Sequence, residues 1–70
     1  MSVVKVIELV GVSKKSWQDA VDNAVARAAE TIRNVRGVDV VGWTGKIEGN
    51  RIIEYRANVK ISFVIEKITG

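Results

Sequence analysis

The chain has 70 residues, with eleven Lys and Arg against eight Asp and Glu, a net charge of +3, and no cysteine, histidine or proline. This bounds it to one small domain, residues 1–70, without disulfide staples or a Cys/His zinc site, and without the histidine or cysteine that nucleophilic catalysis commonly uses. The basic residues are scattered, only Lys14 and Lys15 adjoining, so the surface reads as solvated rather than as a nucleic-acid-binding face.

The first element is the β-branched run Val3 to Gly11, VVKVIELVG. Its composition and terminal glycine predict a strand. Apolar residues on both faces place it centrally in a sheet or under cover on both sides. The run is too short to span a bilayer, and it lacks the basic flank and small-residue cleavage site of a secretion signal. A cytoplasmic protein with no membrane segment is expected.

The second element is a helix. Trp17, Ala20, Val21, Ala24, Val25, Ala28, Ile32 and Val35 recur at helical spacing and form one apolar stripe. Ser16 reads as the N-cap, with Asp19 three residues on. Asp19 and Asp22 suit the positive end of the helix dipole, and Arg33 and Arg36 the negative end. Gly37 is the expected C′ residue, giving a helix of about 20 residues lying on a sheet. Alanines at 20, 24 and 28 predict close approach of helix to strands. Ser13 and Ser16 read as turn and cap residues, not nucleophiles.

The third element is a hairpin, with Gly49-Asn50 as a two-residue turn. That turn predicts a register in which opposed residue numbers differ from strand to strand but keep a constant sum. Tyr55 then faces Thr44, Ala57 faces Gly42, Val59 faces Val40 and Ile61 faces Val38 on the helix side, with Phe63 and Ile65 extending it. On the other side Lys60 faces Asp39, Asn58 faces Val41, Arg56 faces Trp43 and Glu54 faces Gly45. Trp43 is thus expected to project away from the helix beside the Arg56 guanidinium, in cation–π range. A sister copy or a flat ligand would cover it. Asp39 and Lys60 read as a surface ion pair that would become a specificity device inside an interface. Arg56 is the candidate for holding a phosphate where symmetry copies meet. The glycine-rich GWTGKIEG departs from a phosphate-binding P-loop, because Ile47 follows Gly45-Lys46 and no helix begins there.

The order β-α-β-β, the opening KVIELVG followed by a serine, the helix AVDNAVARAAETIR and the close GKIEGNRI-EYRANVKISFVIE together resemble the dodecin family, from about Val4 to Glu66. The resemblance implies an α+β fold with a three-stranded antiparallel sheet partly wrapped around one long amphipathic helix. It implies a hollow homododecamer and non-enzymatic ligand storage, with flavins (riboflavin or FMN) bound as stacked pairs between subunits. Carried over residue by residue, the family's flavin-stacking tryptophan falls on Gly37 and its ring-bonding glutamine falls on Arg56. Glycine offers no aromatic face, and arginine donates but cannot accept. Trp43 lies six residues beyond Gly37, about 20 Å along a strand. The motif SKKSWQDAV, with YR in the last strand, is similar to a dodecin-like branch that lacks the flavin residues and is associated with calcium. Asp19, Asp22 and Glu54 are the acids offered for a metal, together with Asp39, across subunits or at a helix terminus. Two readings therefore stand open. One is a flavin-type storage shell with Arg56, Trp43, Gly37, Asp39 and Lys60 at its ligand site. The other is a flavin-free structural or calcium-binding assembly.

Overall fold

The computed structural model describes residues 3–65. The elements run β1 (Val3–Ser13), α1 (Trp17–Thr31), β2 (Val35–Glu48) and β3 (Arg51–Ile65). They form one antiparallel sheet in the order β1-β3-β2 with the helix packed on one side. The last strand is therefore central. β1, expected at the centre or under cover on both sides, is an edge strand with the helix on one of its faces.

The helix begins as the sequence predicts. The Ser16 hydroxyl accepts the Asp19 amide at 3.0 Å. The Asp19 carboxylate does not reach back to the cap; it accepts the Ser13 hydroxyl at 2.6 Å. Ser13 in turn accepts the Lys15 amide at 2.9 Å, so the two serines tie the β1–α1 turn to the helix start.

The helix ends earlier than predicted, at Thr31. Ile32 is already extended and donates its amide to the Ala28 carbonyl at 2.9 Å. Asn34, with φ 62°, takes the left-handed position assigned to Gly37. Asparagine is the side chain that best tolerates that conformation after glycine. Gly37 and Arg36 consequently lie in β2, with Gly37 opposite Ser62. Val35, counted into the helical stripe, also belongs to β2.

The core is the alanine stripe against the middle strand. Ala20, Val21, Ala24 and Ala28 pack on Ala57, Val59 and Ile61, with Ile7, Leu9, Val25, Ile32 and Val35 around them. The close approach expected from the alanines is real and is tightest at Gly11. A Cβ built on Gly11 would lie 1.9 Å from the Ala20 carbonyl oxygen. Glycine at 11 is therefore what lets α1 sit directly on β1.

Gly49 and Asn50 form the predicted turn, with φ of 60° and 63°. The register that follows from it is right at the tip (Ile47–Ile52, Glu48–Arg51) and again at Val38–Ile61, Asp39–Lys60 and Val40–Val59. Between these it is displaced by one residue. A bulge at Val41 in β2 starts the displacement, and an irregularity between Lys46 and Ile47 ends it by leaving Ile53 without a partner in β3.

Candidate functional site

The displaced segment decides which side chains share a face. Gly42 opposes Asn58, Trp43 opposes Ala57, Thr44 opposes Arg56, Gly45 opposes Tyr55 and Lys46 opposes Glu54. Ala57 is wholly buried under the helix. Trp43 therefore lies on the helix side, and the prediction that it projects away from the helix is corrected. Its ring stands edge-on to Trp17, with centroids 6.4 Å apart. Trp43 and Arg56 occupy opposite faces, so the predicted cation–π pair does not form. The Arg56 guanidinium instead donates to the Glu54 carboxylate at 3.4 Å. Tyr55 remains on the helix side and meets Trp17 edge-on at 4.8 Å. The Trp17 Nε1–H donates to the Thr44 carbonyl at 2.9 Å, which fixes the indole at the start of the helix.

The other face of the sheet carries most of the predicted ligand residues. Lys60 is opposite Asp39 of β2 and Glu8 of β1 in the ladder, but the expected Asp39–Lys60 ion pair is not made: the ion pairs among the described residues are Arg27–Glu30 and Arg56–Glu54. Arg56 and Asn58 continue the middle strand, with Val12 and Val10 beside them on β1. A shallow hollow of about 360 Å³ is lined by Glu8, Val10, Val41 and Asn58, among others. A second, of about 420 Å³, is lined by Thr44, Gly45, Lys46 and Arg56. Thr44 and Lys46 join Arg56 only because of the Val41 bulge. A hydroxyl, an ammonium and a guanidinium around one hollow make an anion-attracting set. The sequence reading found Arg56 and missed the other two, since a regular ladder puts them on the opposite face.

Gly37 sits on β2 away from this hollow. A Cβ there would lie 2.8 Å from the Ser62 hydroxyl oxygen. The residues at this position do not fit the ring-stacking role that the family resemblance assigns to it.

The acids offered for a metal are engaged separately. Asp19 accepts from Ser13, and Asp22 accepts the Gln18 side-chain amide at 3.1 Å. Glu54 holds Arg56. Among the described residues no group of three or more His, Cys, Asp or Glu is placed to hold a metal ion. No described helix is long and apolar enough to cross a membrane.

The comparisons with known proteins agree with this architecture. The dodecin family model matches residues 3–66. The calcium dodecin of Mycobacterium tuberculosis is 35% identical over 63 residues, covering 90% of this chain and 89% of that protein. The dodecin of Thermus thermophilus is 32% identical over 65 residues, covering 93% and 94%. The solved dodecin of Streptomyces coelicolor superposes with a TM-score of 0.90 at 31% identity, covering 96% of each chain. A solved structure of the M. tuberculosis calcium dodecin, described as calcium chelating with a novel calcium-binding site, gives 0.80 at 29% identity over 97% of each chain. On sequence and fold alike, this chain belongs to the dodecin family.

Proposed function

We propose that this chain assembles into a closed homododecameric shell that binds and stores a flat, phosphate-bearing small molecule without turning it over. The observation that carries the ligand class is the Thr44–Lys46–Arg56 hollow on the face opposite the helix. Three donors of positive or neutral character face one space, and an anion placed there gains charge-assisted hydrogen bonds. The assembly is supported by the same face, where Val10 and Val41 are 57% and 61% exposed and Val4 and Val6 are also bare. Such a valine surface in a chain this small gains burial by packing against copies of itself. Flavin mononucleotide is the natural probe. Its ring finds no stacking partner at Gly37, so affinity rests on the phosphate end.

Titration with FMN and riboflavin, read by quenching of flavin fluorescence, tests the ligand. FMN binding tighter than riboflavin, with that preference lost in Arg56→Ala, is the expected result. Equal affinity of wild type and Arg56→Ala for FMN overturns the assignment. On a sizing column the particle should run at about 90 kDa, twelve subunits closed by symmetry; a monomer overturns the shell.

The identity with the M. tuberculosis calcium dodecin favours a second reading, a flavin-free calcium-binding assembly. Calcium needs about six to eight oxygens, so the site would draw Asp19, Asp22, Asp39 or Glu54 from more than one copy. Calcorimetric titration with calcium separates the two: heat with calcium and none with FMN supports this one.

A further inference from the structure

The face opposite the helix changes sign along β3. Around Arg56 the hollow is rimmed by donors, Thr44 and Lys46. One step on, at Asn58, the hollow of about 360 Å³ has the Glu8 carboxylate on its rim and Val10 and Val41 as apolar walls. Its volume lies at the small end of ligand sites. Arg56 and Asn58 are successive outward residues of one strand, about 7 Å apart. Gly42 stands opposite Asn58. A Cβ there would lie 3.5 Å from the Asn58 amide nitrogen, so on β2 that amide lies over bare backbone. Among the described residues neither the Glu8 carboxylate nor the Asn58 side chain has a hydrogen bond or ion pair of its own.

We infer that this second hollow takes the amino-bearing edge of a nucleobase, as in cytosine or adenine, whose phosphate sits at Thr44, Lys46 and Arg56. The inference rests on the phosphate-binding reading above and deepens it by naming the ring. The opposite signs of the two ends orient the ligand: a phosphate is attracted at Arg56 and repelled at Glu8. An ionised carboxylate only accepts hydrogen bonds, and a bond donated to it is charge-assisted. An exocyclic amino group supplies that donor. An imide edge, as in uracil or a flavin, puts a carbonyl oxygen in the same place and leaves Glu8 facing a second acceptor. Asn58, which both donates and accepts, bonds the neighbouring ring atom. The two valines flank the faces of a flat ring, and the ribose spans the step from Asn58 to Arg56.

CMP and UMP differ at the edge in question and share everything else, while ribose 5-phosphate carries the phosphate without a base. Titration calorimetry of the assembled protein with all three tests the inference. CMP should bind at least about tenfold tighter than UMP. Glu8→Gln, a change at an exposed position, should bring the two nucleotides within about threefold of each other, because a glutamine amide serves either edge. It should leave ribose 5-phosphate binding as in wild type, whereas Arg56→Ala should weaken all three. Equal affinity for CMP and UMP, or a preference that survives Glu8→Gln, overturns the inference and leaves the phosphate reading standing. Absence of binding by all three overturns both.

Discussion

The body of the sheet and its distal ribbon are made from the same two strands, yet they differ in what holds them. Along the body, Val59 and Ile61 are sealed beneath α1. Along the ribbon, Ile47 and Ile52 lie on the same side of the sheet and stay bare. Apolar character does not separate the two regions; helix length does. Fifteen helical residues span about 22 Å, while the fifteen residues of β3 span about 50 Å. The helix covers less than half of the strand it lies on. A two-stranded ribbon outside that cover is marginal in water by itself.

Substitutions graded by position sharpen the contrast, provided they are compared at one protein concentration. Ile61→Ala, in the sealed body, should cost about 2–5 kcal/mol, because it empties a site with no solvent access. Chemical denaturation measures it; a loss below that of any ribbon substitution would break the comparison. Gly11→Ala should cost about 1–3 kcal/mol, at the upper end, since the added methyl meets the Ala20 carbonyl and the helix must lift. A neutral result would mean the helix sits less tightly than the core packing implies. Ser16→Ala should cost about 1 kcal/mol through loss of the N-cap bond to Asp19, visible as a lower unfolding midpoint. Glu54→Gln, in the ribbon, should change stability by less than about 1 kcal/mol, since its ion pair with Arg56 is long, at 3.4 Å, and water reaches its half-exposed arginine end. A larger change would indicate that this face of the ribbon is already covered.

Much of the body was legible in the sequence, and much of the site was not. Ser16, the alanine stripe and Gly49-Asn50 each act locally, through a cap, a helical period and a turn that needs positive φ. All three are where the pattern puts them. The helix end was misplaced because two residues, Asn34 and Gly37, can both take the left-handed position, and the sequence ranks glycine first. The place of β1 in the sheet stayed open, because apolar residues on both faces describe a strand covered twice whatever its position; the structure puts it at an edge. Trp43 was misplaced for a subtler reason. A ladder counted from the turn is correct at the tip and correct at Val40, so both ends endorse it. The error lies wholly between two irregularities that cancel. No local composition marks Val41 or Ile53 as the residue without a partner. The face shared by Thr44, Lys46 and Arg56 was hidden by the same cause.

The paired irregularities have a consequence for how this strand tolerates changes in length. Val41 is supernumerary: remove it, and Val40 runs straight on to Gly42 with every later pairing intact. The same holds for Ile53 on the opposite strand. A shortened variant lacking either residue would keep Trp43 with its indole neighbour and Arg56 with Thr44. A deletion at Trp43 itself would leave no such refuge. At Val41 and Ile53 the hairpin thus carries slack links whose loss leaves its two chemistries on their own sides.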